Sequence, residues 1–398
     1  MKQVFLKIGL LAILMSNVVV RSWAQEKSAQ LPAMRWELLS SLPDRNGRPN
    51  LGVAGAFSGI SRGALLLAGG ANFPGIPSWK NGPKKYWSSV YVLPLDRSRP
   101  LRWLDTLFRF PYPVAYGASL TLDEGILCIG GKNDSGYLSK VLLLQWNNTG
   151  KRIAVKPYPD LPVPLASMAA ARIGHTIYVA GGENETGKQD AFYALDLEKL
   201  SSGWKTLPPL PGGPLSDAVL VSQSGGGHEQ LYLIGGRTTA QDGAAVFYHT
   251  VYVFDPLTAT WGKRHEITND LHQPVGLAAG TGSAVGDRYI ALFGGDDGIL
   301  FNELAAYKKQ ASTAADASQR AYWQGRFDSL SVHHPGFNKT VFLYNTITDT
   351  WKVMDSLPFP AQVTTNIISY KERIILPSGE VRPGIRTPQL WELKTGHE

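Results

Sequence analysis

Residues 231–236 read Leu231-Tyr232-Leu233-Ile234-Gly235-Gly236, and this apolar run ending in a glycine pair decides the fold. Consecutive apolar residues without polar alternation are typical of a strand that is buried on both faces. A glycine pair directly after such a strand indicates a turn that side chains would obstruct. Similar runs recur at 65–70, 126–131, 177–182 and 290–295, with a degenerate copy at 374–379.

Each copy is followed by a second strand, a turn and a tryptophan, so the repeat is longer than the glycine run alone. Val251-Tyr252-Val253-Phe254, for example, precedes Trp261. The second glycines of successive copies lie 61, 51, 54, 59 and 84 residues apart. Six ordered copies of this unit indicate blades of the Kelch type, within the usual range of about four to eight. We therefore predict an all-β, six-bladed Kelch-type β-propeller.

The repeat also predicts how the blades are arranged. We expect the apolar run to form an inner, fully buried strand, the glycine pairs to allow a tight backbone where blades crowd the central axis, and the tryptophans to pack between blades. The last copy is followed by a strand near 389–393 but by no further tryptophan strand. Trp36 has Leu42-Pro43 at the spacing found after other tryptophans. The N-terminal strand is therefore predicted to close the last blade, which removes an open sheet edge.

The longest spacing contains an insertion at about 296–338. Between Asn302 and Phe327 it is rich in Ala, Gln, Lys and Glu and poor in Gly and Pro, which predicts a helix with Asn302 as its N-cap. The insertion is expected either to cover a ligand site as a lid or to be a surface decoration.

Residues 1–24 have the pattern of a secretory signal, because Lys2 and Lys7 flank the start of an apolar stretch that ends in Ser22-Trp23-Ala24. The mature propeller would comprise 25–398, with no membrane span after cleavage. Loss of Lys2, Lys7 and Arg21 lowers the net charge from +7 to +4. The basic residues are scattered, which argues against binding of nucleic acid.

Cys128 is the single cysteine, so the chain has no internal disulfide. Its place in an apolar run predicts a small buried hydrophobe rather than a nucleophile or metal ligand. An exported protein without disulfides must be held together by its core, which fits a large fold.

The loop after the last repeat copy is the strongest candidate for chemistry. Glu380, Arg382 and Arg386 lie within seven residues of one another, on a loop that contains Pro383 and Gly384. A glutamate can transfer protons, and a guanidinium can hold a carboxylate with two hydrogen bonds. A structural Arg–Glu pair that only fixes the loop is the alternative on the residues alone.

The run Gly-Glu-x-x-Pro-Gly-x-Arg-Thr at 379–387, together with six repeats and an export signal, resembles the N-acetylneuraminate epimerase family, the sialic acid mutarotases. It is most similar to the cyclically permuted group, in which the blade order is rotated. The runs 52–57, 68–75, 115–117 and 211–214 also resemble the family. Two positions differ, since Thr281 stands where the family has His and Leu215 where it has Arg.

The resemblance implies that Glu380 and Arg386 are the catalytic pair and that Arg382, Asn72 and Tyr116 contact the substrate. It implies conversion of the α-anomer of N-acetylneuraminate to the β-anomer by acid–base opening and closing of the ring. No metal or other cofactor would be needed, and the partner would be a small sugar acid. We further expect a periplasmic location and a monomer or weak dimer.

Other functions are compatible with a Kelch propeller. A copper radical oxidase is disfavoured because Cys128 lies in a strand and His333-His334 is a poor metal geometry. A sialidase would show Ser-x-Asp-x-Gly-x-x-Trp repeats, which the sequence lacks. A non-catalytic propeller that binds glycans or proteins and a mutarotase for another sugar remain as alternatives. Glu183 and Asp296-Asp297 follow glycine pairs and could contact a ligand, but we expect them to be solvated turn acids.

Overall fold

Six four-stranded antiparallel sheets contain most of the strands in this computed structural model. The structure describes residues 34–44, 47–96, 98, 100–371 and 373–394, so the predicted signal at 1–24 lies outside the described residues. The first strands of neighbouring sheets contact one another, which arranges the sheets around a common axis. The predicted six-bladed β-propeller is confirmed.

The six sheets, called blades 1 to 6, follow the order of the chain. The first three consist of Phe57–Ser61, Ala64–Ala68, Ser89–Pro94 and Phe108–Arg109 (blade 1), Ala118–Thr121, Ile126–Ile129, Val141–Asn147 and Arg152–Pro157 (blade 2), and Ala169–Ile173, Thr176–Ala180, Phe192–Asp196 and Trp204–Thr206 (blade 3). The last three consist of Val219–Ser224, Glu229–Ile234, Val251–Asp255 and Thr260–Arg264 (blade 4), Thr281–Val285, Tyr289–Phe293, Thr340–Asn345 and Thr350–Ser356 (blade 5), and Ile368–Tyr370, Arg373–Leu376, Gln389–Lys394 and Arg35–Ser41 (blade 6).

The strand that ends in the glycine pair is the second strand of its blade, not the innermost one. In blade 1 the innermost strand is Phe57–Ser61 and the glycine run continues from Ala64–Ala68. Gly69 and Gly70 have φ values of 72° and 87°, and a Cβ on Gly70 would lie 2.6 Å from the Cβ of Val53. A Cβ on Gly69 would likewise lie 2.4 Å from the carbonyl oxygen of Val114, in the loop that leads into blade 2. The glycines therefore permit a tight turn where the loops of neighbouring blades crowd together, as expected.

A closed ring of six backbone hydrogen bonds surrounds the central axis of the propeller. Each blade contributes one residue whose N–H donates to the carbonyl of the equivalent residue in the preceding blade, at N···O distances of 2.7–2.9 Å. All six residues have a φ between 52° and 66°, a region that L-residues rarely occupy. We call this ring the annulus, and its members are Gly55, Tyr116, Ser167, Asp217, Ala279 and Thr364.

Short hairpins extend beyond the glycine pairs on the same side of the propeller. They are Ala71–Asn72 with Lys85–Tyr86, Lys132–Asn133 with Gly136–Tyr137, Glu183–Asn184 with Gly187–Lys188, Arg237–Thr239 with Ala245–Phe247, and Gly379–Arg382 with Ile385–Thr387. Two single 3₁₀ turns occur at Ser78–Lys80 and Leu200–Ser202.

Blade 5 carries two α-helices, Ile299–Thr313 and Ala317–His333, in place of a hairpin. The predicted helical insertion is therefore present, but it is interrupted where Asp316 caps the second helix through Gln319 N–H. Asn302 does not cap the first helix, which begins after Gly298. Its side chain instead pairs with the backbone N–H and C=O of Ala245, which fastens the insertion to blade 4.

The N-terminal strand closes the ring as predicted. Arg35–Ser41 pairs antiparallel with Gln389–Lys394 and forms the outer edge of blade 6. The ring centroid of Trp36 lies 5.3 Å from those of both Phe293 and Phe359, in edge-to-face contacts. The closure thus buries aromatic surface as well as adding a strand.

Tryptophans in the outer strands pack between blades, which confirms their predicted role. The ring of Trp261 lies 4.9 Å from Phe192 of blade 3 and 5.1 Å from Phe254 of its own blade. Cys128 is buried in the core between blades 1 and 2, and this burial raises the pKa of its thiol. Within the described part of the chain, neither helix has the length and apolarity needed to cross a membrane.

Replacement of Trp36 by Ala should loosen the closure of the ring. Removing its aromatic contacts is expected to lower the free energy of unfolding by about 2–3 kcal/mol, because the indole is only partly buried. Leu38→Ala on the same strand is the matched control, since Leu38 is 49% exposed. Chemical denaturation measures both variants, and an equal loss from both would contradict the proposed role of Trp36.

Candidate active site

One side of the propeller carries a ring of predominantly charged residues, one from each blade. In blades 1 to 5 this residue directly follows the glycine pair, and in blade 6 it follows Gly379. In each blade it forms an isolated antiparallel bridge with the residue that immediately precedes that blade's member of the annulus. The equivalent placement means that the six side chains surround one opening, here called the channel mouth. The ring residues are Ala71, Lys132, Glu183, Arg237, Asp296 and Glu380.

A cavity of about 300 Å³ lies at the channel mouth. Tyr116, Ser167, Asp217 and Thr364 of the annulus line both this cavity and the narrower central channel below it, so they form the floor between the two. The walls consist of hairpin and loop residues, namely Phe73, Ser78, Lys84, Lys132, Glu183, Arg237, Glu380, Pro383, Gly384 and Arg386.

Glu380 and Arg386 face each other across their hairpin in blade 6. They are direct register partners, and Arg386 Nη1 lies 3.2 Å from Glu380 Oε1. The same carboxylate oxygen accepts a 2.7 Å hydrogen bond from the N–H of Gly384, whose φ of 79° forms the tip of the turn. Both contacts involve Oε1, so Oε2 is the oxygen that remains for another partner.

The guanidinium of Arg386 is almost completely buried, with 3% of its side chain exposed. Its centre lies 4.9 Å from the ring of Phe73. Among the described residues, neither Nε nor Nη1 has an acceptor in hydrogen-bonding geometry, although Nη1 is at ion-pair distance from Glu380. Buried polar groups are nearly always hydrogen-bonded, so these donors can take an acceptor from a ligand.

Cations and aromatic rings alternate along one wall of the cavity. Lys84 Nζ lies 5.9 Å from the ring of Phe73 and 4.8 Å from that of Tyr116, while Lys132 Nζ lies 5.7 Å from Tyr116 and 4.9 Å from Tyr137. The rings stabilise positive charge at this wall, where an anionic or hydroxylated ligand would find donors.

Glu183 is held between two lysines on the blade 3 side of the mouth. Lys188 Nζ contacts Oε2 at 2.6 Å and Lys132 Nζ contacts Oε1 at 2.9 Å. Burial works to raise the pKa of Glu183, but the hydrogen bonds and charges of Lys188 and Lys132 outweigh it and lower the pKa to about 2. Glu183 is 19% exposed and lines the cavity, so the expectation of a solvated turn acid was wrong.

Arg237 connects the mouth to the helical insertion. Its Nε donates a 2.8 Å hydrogen bond to Asp217 Oδ2, and its guanidinium lies over the rings of Phe247 and Phe301 at 6.0 and 5.0 Å. Burial opposes the charge of Arg237, but Asp217 outweighs this effect and raises the pKa of the arginine. Phe301 belongs to the first inserted helix, so the insertion contributes to the packing of this side of the site.

Asp296 completes the charged part of the ring next to Glu380. Burial raises the pKa of its carboxyl, although Oδ1 accepts a 2.9 Å hydrogen bond from Gly298 N–H. It is half-buried and is not among the residues that line the cavity, whereas Asp297 is exposed. The expectation of a solvated acid therefore fits Asp297 and not Asp296.

The predicted substrate contacts are placed very differently. Tyr116 lies in the floor of the cavity. Asn72 is 6% exposed and lies outside the cavity lining, with its amide bonded to Gly52 C=O and to the indole N–H of Trp87. Arg382 Nη1 donates to the carbonyl of Val332 on the second inserted helix. The structure thus brings Glu380, Arg386 and Tyr116 together and directs Asn72 and Arg382 elsewhere.

Sequence reasoning named only three of the six ring residues, Glu183, Asp296 and Glu380. Lys132 and Arg237 line the cavity but were not predicted, although each directly follows a glycine pair, as Glu380 follows Gly379. Comparing that one position across all copies would have identified them. The two family differences, Thr281 and Leu215, are both buried, Thr281 in the innermost strand of blade 5 and Leu215 between blades 3 and 4. Across the described residues, no group of three His, Cys, Asp or Glu side chains is placed to hold a metal ion.

The chain is similar to known proteins in sequence and in fold. A family model described as "N-acetylneuraminate epimerase" matches residues 20–155 and 158–398. The N-acetylneuraminate epimerase of Yersinia enterocolitica is 30% identical over 241 residues, which is 60% of this chain and 57% of that protein. The epimerase of Brucella melitensis is 31% identical over 257 residues, or 63% and 61% of the two chains. The aligned part therefore spans less than two thirds of these relatives.

A solved structure, that of YjhT, is similar to the fold. It superposes with a TM-score of 0.57 at 15% sequence identity, covering 87% of this chain and 95% of that one. At this identity the likeness concerns the fold alone.

The ion pairs of Glu183 predict how stability depends on pH. Its pKa is lower in the folded than in the unfolded protein, so its contribution is present above about pH 4.5 and is lost as the pH falls towards 2. We expect wild type to exceed Glu183→Gln in stability by about 2 kcal/mol at pH 7, and the gap to close below pH 4.5. Denaturation of both proteins across pH 2–7 measures it, and a constant gap would contradict the assignment.

Proposed function

This chain belongs to the N-acetylneuraminate epimerase family, and we propose that it is an isomerase that converts the α-anomer of N-acetylneuraminate to the β-anomer. The observation that carries the proposal is the pairing of Glu380 with Arg386 inside the cavity at the channel mouth. An acid–base group and a buried cation with unsatisfied donors are adjacent there, which suits a sugar that bears a carboxylate on its anomeric carbon.

Glu380 is the proposed proton carrier. Ring opening requires a proton to leave the anomeric hydroxyl and a proton to reach the ring oxygen, as the bond between the anomeric carbon and the ring oxygen breaks. The carboxylate takes the first proton and returns it to the ring oxygen, directly or through water. The open-chain ketone then closes on its other face by the reverse steps, so neither protons nor electrons are gained or lost overall. The contacts of Oε1 with Gly384 and Arg386 fix the carboxylate for this exchange.

Arg386 is the proposed partner of the substrate carboxylate. Its buried Nε and Nη1 atoms have no hydrogen-bonded acceptor among the described residues, and a carboxylate can accept from two guanidinium donors at once. Binding there would place the anomeric carbon, which carries the carboxylate, beside Glu380. Arg382 is a weaker candidate because its guanidinium bonds the carbonyl of Val332.

The helical insertion is proposed as a cover for the mouth. Lys80, in the loop of the blade 1 hairpin, forms a 2.6 Å ion pair with Asp328 of the second inserted helix. Arg382 reaches the same helix at Val332. These contacts join the insertion to blade 1 and to the Glu380 hairpin of blade 6, which supports a role near the ligand over a remote decoration.

We also propose that the protein acts in the periplasm. The support is the signal-like pattern of residues 1–24. N-terminal sequencing of the mature protein from its native host tests this, because an intact Met1 would overturn it.

Glu380→Gln should strongly reduce catalysis and preserve binding. The amide keeps the shape and can still accept from Gly384, but it cannot carry a proton, so kcat is expected to fall by about 10²- to 10⁴-fold. The assay releases α-N-acetylneuraminate with a sialidase and follows the β-anomer by proton NMR, after subtraction of the spontaneous rate.

Full activity of that variant would remove Glu380 from the chemistry. If wild type accelerates nothing but still binds the sugar, the protein is a sugar-binding propeller or acts on a different sugar. Binding is measured in parallel by titration calorimetry, which separates these outcomes.

The two arginines of the motif form a matched pair for a second prediction. Arg386→Gln should raise KM for N-acetylneuraminate by about 10- to 100-fold, because a charge-assisted contact to the carboxylate is lost. Arg382→Gln should change KM by less than about threefold, since it loses only a contact with the insertion. The reverse ranking in the same NMR assay would assign the carboxylate to Arg382.

A further inference from the structure

The hairpin of Glu380 and Arg386 has a counterpart on the opposite side of the mouth. In blade 3, Glu183 follows its glycine pair and is the register partner of Lys188, as Glu380 is the register partner of Arg386 in blade 6. Blades 3 and 6 are three positions apart in a ring of six, so the two acid–base pairs oppose each other across the axis. Both glutamates line the same cavity.

The two pairs differ in the partners of the carboxylate. Among the described residues, the carboxylate of Glu380 contacts one guanidinium and one backbone N–H, both through Oε1. Glu183 has an ammonium on each oxygen, from Lys188 and Lys132, and Oε1 also lies 3.4 Å from the hydroxyl of Tyr137. Both oxygens of Glu183 are therefore engaged by cations, which keep it ionised at neutral pH.

Because their carboxylates have different partners, Glu380 and Glu183 are suited to different chemistry. A carboxylate that two ammonium groups stabilise is a weak base, so Glu183 accepts hydrogen bonds but is poorly suited to take up and return the proton in the shuttle proposed for Glu380. Lys132 and Lys188 add ammonium donors next to that acceptor, and Lys132 faces the cavity. Acceptors and donors placed side by side match neighbouring hydroxyl groups, each of which donates one hydrogen bond and accepts others.

We propose that Lys132, Glu183 and Lys188 form a second subsite, which binds the polyhydroxylated chain of the sugar and selects substrates that carry one. The inference rests on the proposed function, because the anomeric carbon must lie at Glu380 for the remote part of the sugar to reach blade 3. Glu183 and Lys132 act as binding residues that touch the substrate, and Lys188 positions Glu183.

The test compares two sugars and three proteins. The sugars are N-acetylneuraminate and its seven-carbon analogue, in which the glycerol chain is shortened to a hydroxymethyl group. The proteins are wild type, Glu183→Gln and Glu185→Gln. Glu185 is the matched control, because it is an exposed acid of the same hairpin whose side chain accepts from Tyr137 N–H outside the cavity.

We expect Glu183→Gln to raise KM for N-acetylneuraminate by about tenfold, with kcat within about twofold, and to leave KM for the shortened sugar unchanged. Glu185→Gln should match wild type on both sugars. An equal effect of Glu183→Gln on both sugars, or no effect on either, would overturn the subsite. A cluster that only joins the hairpins of blades 2 and 3 would lower thermal stability without altering this selectivity.

A second variant and a second measurement complete the test. If Glu183→Gln does not fold, the double variant Glu183→Gln/Lys188→Gln removes one of the two cations that lose their carboxylate and carries the same expectation. Saturation-transfer NMR on the C7–C9 protons reports contact without turnover. Wild type that saturates these protons without accelerating exchange, together with a variant that does not saturate them, would refute the proposed function and retain the subsite. Absence of that saturation in wild type would overturn the subsite.

Discussion

The closed annulus of six backbone hydrogen bonds is the constraint on which the site depends. Each N–H finds its acceptor in the neighbouring blade, so the position of every blade is fixed relative to the axis by main-chain atoms alone. The required φ of about 60° is unfavourable for residues other than glycine, yet five of the six positions carry side chains. Four of those side chains form the floor of the cavity. The fold therefore accepts local strain at the place where a ligand would rest.

Around this floor, the backbone arrangement repeats from blade to blade, but the side chains at the equivalent ring positions do not. The same bridge occurs in every blade, but the side chains at it differ in charge, and a cation and a carboxylate of neighbouring blades can pair, as Lys132 does with Glu183. Because the backbone does the positioning, the charges can differ freely between equivalent sites. Glu380 and Glu183 illustrate this, since the number and type of cation beside each carboxylate separates a group suited to proton transfer from one suited to binding.

The blade count and ring closure were predictable, because both depend on strand-length patterns that recur in the chain. The pairing of Glu380 with Arg386 was also foreseeable, since both residues lie on one short hairpin. Asn72 and Arg382 show the limit. Their orientation is set by partners far along the chain or in another element, Gly52 and Val332, which no local pattern reveals. The tight turn at each glycine pair was foreseeable as well, but the sequence does not show which neighbouring loop crowds that turn.

The closure of blade 6 ties the candidate site to the two ends of the described chain. The hydroxyl of Ser378, at the base of the Glu380 hairpin, lies 2.9 Å from both the N–H and the C=O of Val53, 325 positions earlier. At the other base of that hairpin, Leu42 N–H donates to Pro388 C=O at 2.8 Å. A chain in which Leu42 and Val53 have not yet made these contacts would thus lack the frame that holds Glu380 and Arg386. The candidate site is therefore complete only when the earliest and latest segments of the propeller have met.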